Sequence, residues 1–259
     1  MRIATWNVNS IRQRLPHLLA YLRSVEPDVL CLQELKCVDE AFPRMEVEAA
    51  GYRCIVHGQK GFNGVAILSR KPMAATGSGL PGDEADIQAR YAEAVVQDDG
   101  GPVRVASIYL PNGNPPDTDK YPYKLGFMDR LTQRAAELVA AEEAVVLAGD
   151  FNVIPEPRDV YDAAAWTGDA LFLPETRRRF RTLLNLGLTD AIRATTDAAG
   201  LYSFWDYQAG AWQRNKGIRI DHLLLSPRAA DRLRSATIDK GVRGDDKPSD
   251  HVPVRIDLA

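Results

Sequence analysis

A carboxylate and a carboxamide stand two residues apart directly after an apolar run of the sequence. The segment Gly149-Asp150-Phe151-Asn152 follows the apolar run 144–148. In an extended chain, residues i and i+2 point to the same side of the backbone. Asp150 and Asn152 are therefore predicted to aim together at one reacting group or ion. Taken alone, the tetrapeptide is equally typical of a turn or a helix cap.

Polar residues of similar types stand at the ends of other apolar runs: Asn7, Glu34, Tyr109, Asn112, Asp221, Asp250 and His251. Ligands of sheet-based α/β proteins commonly bind beyond strand ends. The four carboxylates in this set, Asp150 included, would repel one another, so their cluster needs a cation or shared protons. Oxygen ligands of this kind suit Mg²⁺ or Mn²⁺. The pattern predicts metal-assisted hydrolysis of a phosphate ester.

Nearly continuous apolar runs predict strands that are buried on both faces, between which helices pack outside the sheets. The predicted strands are 2–8, 29–34, 52–57, 65–69, 91–96, 103–110, 144–148, 219–225 and 252–258. Helical spacing of apolar residues appears between them, for example at Phe127, Leu131, Ala135 and Leu138. No linker or repeat is visible, which favours one domain over 1–259. The long loops 111–123 and 155–174 are predicted to be functional.

Charge and composition narrow the class of protein. The net charge of -3 and the pI of about 5.9 argue against a protein that coats DNA by charge alone, but not against an enzyme with a local basic rim. Three cysteines without a CxxC pair predict neither a disulfide framework nor a zinc site. With no export signal and no apolar run of membrane length, we expect a cytoplasmic protein without a membrane partner. No apolar stripe demands an oligomer, so a monomer is expected.

Six motifs resemble, in order along the chain, the exodeoxyribonuclease III family, the bacterial branch of abasic-site endonucleases within the endonuclease/exonuclease/phosphatase superfamily. They are Trp6-Asn7-Val8-Asn9, Leu32-Gln33-Glu34, Gly58-Gln59-Lys60-Gly61, Gly149-Asp150-Phe151-Asn152, Gly217-Ile218-Arg219-Ile220-Asp221 and Ser249-Asp250-His251. The resemblance implies an α/β (α+β) four-layer sandwich, in which two mixed sheets lie face to face between helices. It also implies divalent-metal hydrolysis of duplex DNA, 5′ to abasic sites and at nicks and 3′ ends.

The same resemblance implies roles for individual residues. Glu34 resembles the principal metal ligand, with Asn7, Asp250 and Asp150 beside it. Asp150 also resembles the residue that orients or deprotonates the attacking water, and Asn152 resembles a donor to the scissile phosphate. The remaining catalytic positions are Tyr109, Asp221 and His251, the last two forming a histidine–carboxylate pair.

Substrate contacts follow partly from the resemblance and partly from residue type. Phe204, Trp205, Ile218 and Ile220 fall where the family lines its pocket for a flipped-out abasic sugar, although Trp205 is also compatible with a core position. Asn112 resembles a hydrogen-bonding group on the phosphate side. Arg90, Lys120 and Lys124 lie in or near candidate loops, where basic side chains suit contacts with the DNA backbone.

Two other functions are compatible with parts of the sequence. Another phosphoesterase of the superfamily, acting on lipid or inositol phosphates, would share the metal chemistry; the stretches 58–69 and 204–221 favour the DNA branch. A non-catalytic, RNA-associated regulator would lack acidic members of the site. This chain keeps Glu34, Asp150, Asp221 and Asp250, which favours an enzyme.

Overall fold

Two six-stranded sheets lie face to face at the centre of the computed structural model, which describes residues 1–259. Their strands are β1 Arg2–Asn7, β2 Val29–Gln33, β3 Arg53–His57, β4 Val65–Ser69, β5 Met73–Ser78, β6 Tyr91–Val96, β7 Val103–Tyr109, β8 Val145–Asp150, β9 Thr189–Asp190, β10 Asp221–Leu225, β11 Leu233–Ile238 and β12 Val254–Leu258. The strand order is β11-β12-β1-β2-β4-β3 in the first sheet and β5-β6-β7-β8-β10-β9 in the second. Both sheets mix parallel and antiparallel pairs.

Helices cover the outer face of each sheet. They are α1 Leu15–Ser24, α2 Arg44–Ala49, α3 Lys120–Ala140, α4 Pro174–Leu184, α5 Ala191–Thr195 and α6 Pro227–Ala230. Leu18 of α1 packs with Leu30 of the first sheet, whereas Phe127 of α3 and Phe180 of α4 pack with Leu147 of the second. This arrangement confirms the predicted four-layer sandwich. None of these helices combines the length and the apolar character needed to cross a membrane.

The main core lies between the two sheets. Ile3 and Val29 of the first sheet share one cluster with Val105, Val146 and Leu223 of the second. Their sequence neighbours point the other way, towards the helices, because side chains alternate across a strand. Burial on both faces explains why the predicted strands are continuous apolar runs rather than alternating ones.

Strand register brings the polar strand ends to one edge of the sandwich. In the parallel pair of β7 and β8, Tyr109 lies opposite Asp150. In the antiparallel pair of β8 and β10, Asp150 lies opposite Asp221, so three neighbouring strands each place a polar residue at this edge. Asn7 ends β1 beside Gln33 in the first sheet.

A buried polar bridge joins the two sheets just behind this edge. Gln33 Nε2 of the first sheet donates to Ser107 Oγ of the second at 3.0 Å, and Ser107 Oγ donates to the Leu32 carbonyl oxygen at 3.0 Å. Thr5 Oγ1 donates to Gln33 Oε1 at 3.2 Å. Because buried polar groups are costly unless paired, these bonds favour one alignment of the sheets.

Candidate active site

Glu34, Asn7 and Asp150 meet where the two sheets face each other. Asn7 Nδ2 donates both to Glu34 Oε1 at 2.9 Å and to Asp150 Oδ2 at 2.9 Å. The Tyr109 hydroxyl donates to the same Glu34 oxygen at 2.9 Å. Asn7 and Glu34 come from the first sheet and the other two residues from the second, so the centre depends on both sheets.

Asp150 is buried beside other carboxylates. Burial raises the pKa of Asp150 to about 7; the Asp221 and Glu34 carboxylates add to the rise, while His251 opposes it. The backbone N–H of Asn152 donates to Asp150 Oδ1 at 2.9 Å and fixes the orientation of the carboxylate. A carboxylate with a pKa near neutrality is suited to accept a proton from water.

His251 forms a buried pair with Asp221. Its Nδ1 donates to Asp221 Oδ2 at 2.9 Å, and Ser203 Oγ donates to the same oxygen at 2.6 Å. Burial opposes the imidazolium charge, but the carboxylates of Asp221 and Asp150 raise the pKa of His251 to about 10. The free Nε2 lies 3.7 Å from Asp150 Oδ2 and faces the site. His251 is therefore a cationic donor at neutral pH.

Three neutral donors surround the space in front of these charges. Asn112 Nδ2 donates to Asn152 Oδ1 at 3.2 Å, and Asn152 Nδ2 donates to the Leu110 carbonyl oxygen at 2.8 Å. Burial raises the pKa of Tyr109 well above its usual value, and the Glu34 carboxylate adds to the rise. Tyr109 is therefore a neutral hydroxyl donor across the physiological range.

The donor set fits a divalent cation. Ligand atoms of Glu34, Asp150 and His251 all lie within 4.8 Å of one another. Asp221 lies behind His251 and outside this group; it adds negative charge, and its Oδ1 is buried without a hydrogen-bond partner. Carboxylate oxygens are preferred by hard cations, and a cation would relieve their mutual repulsion. Because His251 is held as a cation, the ligands offered by this group are the oxygens of Glu34 and Asp150.

Two predicted metal ligands are arranged differently from the prediction. Asn7 turns its Nδ2 to the carboxylates, while its Oδ1 accepts from the Asn9 backbone N–H at 3.0 Å. In this orientation Asn7 bridges the carboxylates and offers no oxygen to an ion. Asp250 lines the same cavity, but its Oδ1 accepts from Asn9 Nδ2 at 2.9 Å and lies outside the group of mutually close ligand atoms.

A cavity of about 270 Å³ opens beside the charged centre. Its apolar wall consists of Trp166, Leu171, Phe204, Ile218 and Ile220. Phe204 forms β-bridges with both Ile218 and His251, and its ring centroid lies 4.9 Å from that of His251. The predicted pocket residues Phe204, Ile218 and Ile220 are therefore brought together here.

Trp205 points away from the cavity, which corrects the prediction that it lines the pocket. Its side chain is fully buried, and its ring centroid lies 4.8 Å from that of Trp212. Its Nε1 donates to Asn215 Oδ1 at 3.2 Å. Because neighbouring residues in an extended segment face opposite sides, exposing Phe204 to the cavity turns Trp205 into the core.

A groove of about 780 Å³ adjoins the cavity at Tyr109 and Asn112. Two predicted DNA contacts, Arg90 and Lys120, line it. The Arg90 guanidinium lies 4.8 Å from the centroid of the Tyr109 ring. Both cations therefore face the space next to the charged centre.

Lys124 does not reach this surface, which corrects the prediction that it contacts DNA. Its side chain is fully buried, and Nζ donates to the carbonyl oxygens of Asn112 at 3.0 Å and Asn152 at 2.5 Å. Burial lowers the pKa of Lys124 to about 7, although the carboxylates of Asp150 and Asp169 oppose the fall.

Several residues that contribute to the site were not predicted from the sequence. Lys36 Nζ lies 2.9 Å from Glu34 Oε2; its position two residues after Glu34 was a usable signal. Trp166 comes from the long loop that was predicted to be functional, but nothing in its neighbours distinguishes it. Ser203 supports Asp221, and no local pattern marks it.

A second buried cluster lies on the opposite face of β10. We call it the scaffold cluster, and it consists of Asp159, Asp190, Arg193, Arg219 and His222. Arg219 Nε donates to Asp159 Oδ1 at 2.7 Å and Nη1 donates to Asp190 Oδ2 at 2.8 Å, while Arg193 also pairs with Asp159. His222 Nε2 donates to the Val153 carbonyl oxygen at 3.0 Å, which leaves Nδ1 to accept from Arg219.

The chain belongs to the endonuclease/exonuclease/phosphatase family, whose sequence profile matches residues 4–251. Within it, the chain belongs to the exodeoxyribonuclease III and AP endonuclease family of hydrolases. It is 34% identical to the exodeoxyribonuclease III of Haemophilus influenzae, with 98% of each chain covered. It is 30% identical to the DNA repair nuclease APEX1 of Danio rerio, with 100% of this chain and 82% of the relative covered.

Solved structures agree with this family assignment. The 3′ phosphatase NExo from Neisseria, bound to a product DNA hairpin, superposes with a TM-score of 0.94 at 37% identity, covering 100% of this chain and 99% of the other. An AP endonuclease from Archaeoglobus fulgidus superposes with a TM-score of 0.92 at 35% identity, with the same coverage.

Proposed function

We propose that this protein is a divalent-metal-dependent DNA repair nuclease. It hydrolyses the phosphodiester 5′ to abasic sites and removes nucleotides or blocking groups from the 3′ ends of duplex DNA. The observation that carries the proposal is the placement of Glu34, Asp150 and His251, within 4.8 Å of one another, beside a cavity with an apolar wall. The names of the relatives, exodeoxyribonuclease III and DNA repair nuclease, support the choice of DNA as substrate.

The chain supplies both sides of an in-line displacement. Asp150 orients a water molecule and takes its proton, for which a pKa of about 7 is suitable. The water oxygen forms a bond to phosphorus as the P–O3′ bond breaks, and the departing 3′-oxygen takes a proton from solvent to become a 3′-hydroxyl. His251, held as a cation by Asp221, donates to a phosphoryl oxygen together with Asn152 and stabilises the developing charge.

We propose Mg²⁺ as the resident ion, with Mn²⁺ as a substitute. Glu34 is its principal ligand and Asp150 lies beside it, while Tyr109 and Asn7 hold the Glu34 carboxylate in place. The bound ion would neutralise charge on the phosphoryl oxygens. Such oxygen ligands are typical of Mg²⁺ sites that also use substrate phosphates. A monomeric state, a cytoplasmic location and a single domain stay predictions.

The cavity holds the abasic sugar, and the groove holds the neighbouring backbone phosphates. The apolar wall around Phe204 and Ile218 accepts a sugar without a base, because such a sugar offers an apolar face and few hydrogen-bonding groups. Arg90 and Lys120 face the neighbouring backbone phosphates from the groove.

The decisive experiment is a product analysis. End-labelled duplexes carrying an abasic analogue, a nick or a 3′-phosphate are incubated with the protein, with Mg²⁺ or with EDTA. We expect EDTA-sensitive products that end in a 3′-hydroxyl. Glu34→Ala should abolish most of this activity, whereas Asp197→Ala removes a carboxylate that is 93% exposed and serves as the matched control.

Three outcomes would contradict the proposal. Wild-type cleavage by Glu34→Ala would remove the carboxylate centre from the mechanism. Faster turnover of phosphoinositides or sphingomyelin than of abasic duplex would favour a lipid phosphoesterase. DNA or RNA binding without EDTA-sensitive hydrolysis would favour a non-catalytic regulator.

A further inference from the structure

Lys124 is a buried cation that the proposed chemistry does not use. It lies in the first turns of α3, and its side chain is fully buried. Its ammonium is hydrogen-bonded to two backbone carbonyl oxygens, and the nearby carboxylates of Asp150 and Asp169 act on it only through space. An amine without an ion-pair partner is expensive to bury, and the lowered pKa of Lys124 reflects that cost, whereas an apolar side chain would suit the core. The fold alone therefore does not account for a lysine here.

The two carbonyl groups belong to the residues whose amides face the site. Asn112 lies in the segment after β7, and Asn152 in the segment after β8. Both amide side chains border the cavity, where Asn112 Nδ2 donates to Asn152 Oδ1 at 3.2 Å. One ammonium thus ties together the backbones of the two segments that present the phosphate-side amides.

The backbone conformation of Asn152 is one that needs to be held by hydrogen bonds. Its φ of 48° lies in the left-handed region, which is uncommon for residues other than glycine, although asparagine adopts it more readily than most. The hydrogen bond from Lys124 to its carbonyl oxygen, together with the bond from its N–H to Asp150 Oδ1, holds this conformation from both sides of the residue. Strained backbone at functional sites persists where the surroundings fix it in this way.

The Asn112 segment also lies directly on the lysine stem. Gly113 has a φ of 87°, and a Cβ built there would stand 2.6 Å from Lys124 Cδ and 3.3 Å from Ala170 Cβ. Only a glycine lets the backbone approach so closely. The position of Asn112 is thus set by the lysine on one side and by Asn152 on the other.

We infer that Lys124 is a positioning residue that fixes the amides of Asn112 and Asn152 for the transition state of phosphate hydrolysis. This inference rests on the proposed phosphodiester hydrolysis. Lys124 acts through the two asparagines and does not touch the substrate. Removing it should misplace both amides, and misplacement by about 1 Å can lower a rate by about 100-fold.

The test is a double-mutant cycle in kcat on a duplex with an abasic analogue. Lys124→Met keeps the apolar stem and removes the donor, and Asn112→Ala removes the amide that the donor positions. We expect Lys124→Met to lower kcat by about 10- to 100-fold with a smaller change in KM. Asn112→Ala should cost far less in the Lys124→Met background than in the wild type, since coupled residues are not additive.

Arg134→Met is the matched control. Arg134 lies on the same helix and pairs with Glu93, so its loss removes a partly buried cation that makes no contact with the two asparagines. Its effect on kcat should multiply with that of Asn112→Ala. Thermal unfolding of each variant separates loss of stability from loss of positioning.

Two results would overturn the inference. One is multiplicative behaviour of Lys124→Met with Asn112→Ala, and the other is a wild-type kcat for Lys124→Met. If Lys124→Met fails to fold, Lys124→Arg is used instead, because it keeps a charged donor. Asn112→Ala should then lower kcat by the same factor in the Lys124→Arg background as in the wild type. A smaller factor contradicts the inference. A wild-type protein without EDTA-sensitive hydrolysis refutes the proposed function instead, so the two failures are distinguishable.

Discussion

Two clusters of carboxylates around a buried histidine lie one on each side of β10, and they differ in charge balance. In the scaffold cluster, two guanidinium groups face two carboxylates, and the pKa values of both Asp159 and Asp190 are lowered despite their burial, chiefly by Arg219. The other cluster, which we call the catalytic cluster, consists of Glu34, Asp150, Asp221 and His251. There, three carboxylates share one imidazolium, and Lys36 pairs only with Glu34.

The two histidines show what this difference does. His251 faces carboxylates, and its pKa is raised to about 10 in spite of burial. Burial and the charge of Arg219 lower the pKa of His222 to about 4. The scaffold cluster is complete by itself, whereas the catalytic cluster keeps excess negative charge and an unpaired oxygen on Asp221. Completed pairing is typical of structural support, and excess charge is typical of a site that receives a cation.

The largest expected effect comes from removing Asp150, the proposed base in the catalytic cluster. Asp150→Asn should lower kcat by about 10²- to 10⁴-fold, because the amide cannot take a proton from water. Its thermal stability should equal or exceed that of the wild type, since a repelling carboxylate is lost. Steady-state kinetics and thermal unfolding check the two parts. An unstable variant would show that this carboxylate supports the fold, and the contrast between the clusters would fail.

The corresponding change in the scaffold cluster should affect stability first. Arg219→Met leaves Asp159 and Asp190 buried without their main partner, and breaking such a pair costs about 3–5 kcal/mol. Urea unfolding should show this loss of free energy. A rise in KM should accompany it, because Ile218 and Ile220 on either side of Arg219 line the cavity. Unchanged stability with lost activity would assign this arginine to the chemistry instead.

The histidines should give opposite pH dependences of stability. His222 has a folded-state pKa of about 4, below its ordinary value of 6.5, so unfolding takes up a proton in acid. Its contribution is present above pH 6.5 and is lost as the pH falls through 4, by about 3 kcal/mol. For His251 the contribution is present below pH 6.5 and is lost as the pH rises through about 10.

Unfolding measured against pH with metal-free protein checks this contrast. His222→Gln should flatten the acid limb relative to the wild type, and His251→Gln should flatten the alkaline limb. Both variants are compared with the wild type in the same pH series, so the contribution of other titrating groups to the free energy of unfolding cancels. Equal flattening of the same limb by both would contradict the assigned charge states.

The smallest expected effect is stabilisation by the ion. Mg²⁺ at about 100 times its dissociation constant should stabilise the wild type by about 2.7 kcal/mol. Glu34→Ala should lose this response, whereas Arg219→Met should keep it on a lower baseline. Thermal unfolding with Mg²⁺ and with EDTA measures both. If Arg219→Met lost the stabilisation by Mg²⁺ and Glu34→Ala kept it, the ion would bind at the scaffold cluster, and the proposed metal site would be wrong.

The sequence predicts the central strands well but misses β5 and β11 at the sheet edges, for a physical reason. β1, β2, β4 and β8 are buried on both faces and therefore read as apolar runs. β5 lies at an edge and is mostly exposed, and β11 lies at the edge of the other sheet and is nowhere fully buried, so neither forms such a run.

Within the site, too, the sequence predicts some residues and not others. Motifs identify Glu34, Asp150 and Asp221, but they do not tell which of two adjacent aromatic residues faces the cavity. That choice depends on the bridge between Phe204 and Ile218, which sequence spacing does not specify. Lys124 did carry a signal: it precedes Phe127, Met128 and Leu131 by three, four and seven residues, which places it on the buried face of α3.

The polar bridge between Gln33 and Ser107 has a consequence for anyone who re-engineers the core. Glu34 follows a strand of one sheet, and Tyr109 and Asp150 lie on strands of the other, so a small slide between the sheets would separate the proposed ion ligand from the proposed base. Larger side chains introduced at Val29 or Val105 could tighten the interior and still push the sheets out of alignment. Repacking in this architecture therefore has to be screened by turnover as well as by the melting temperature, because a stable variant can still have misaligned sheets.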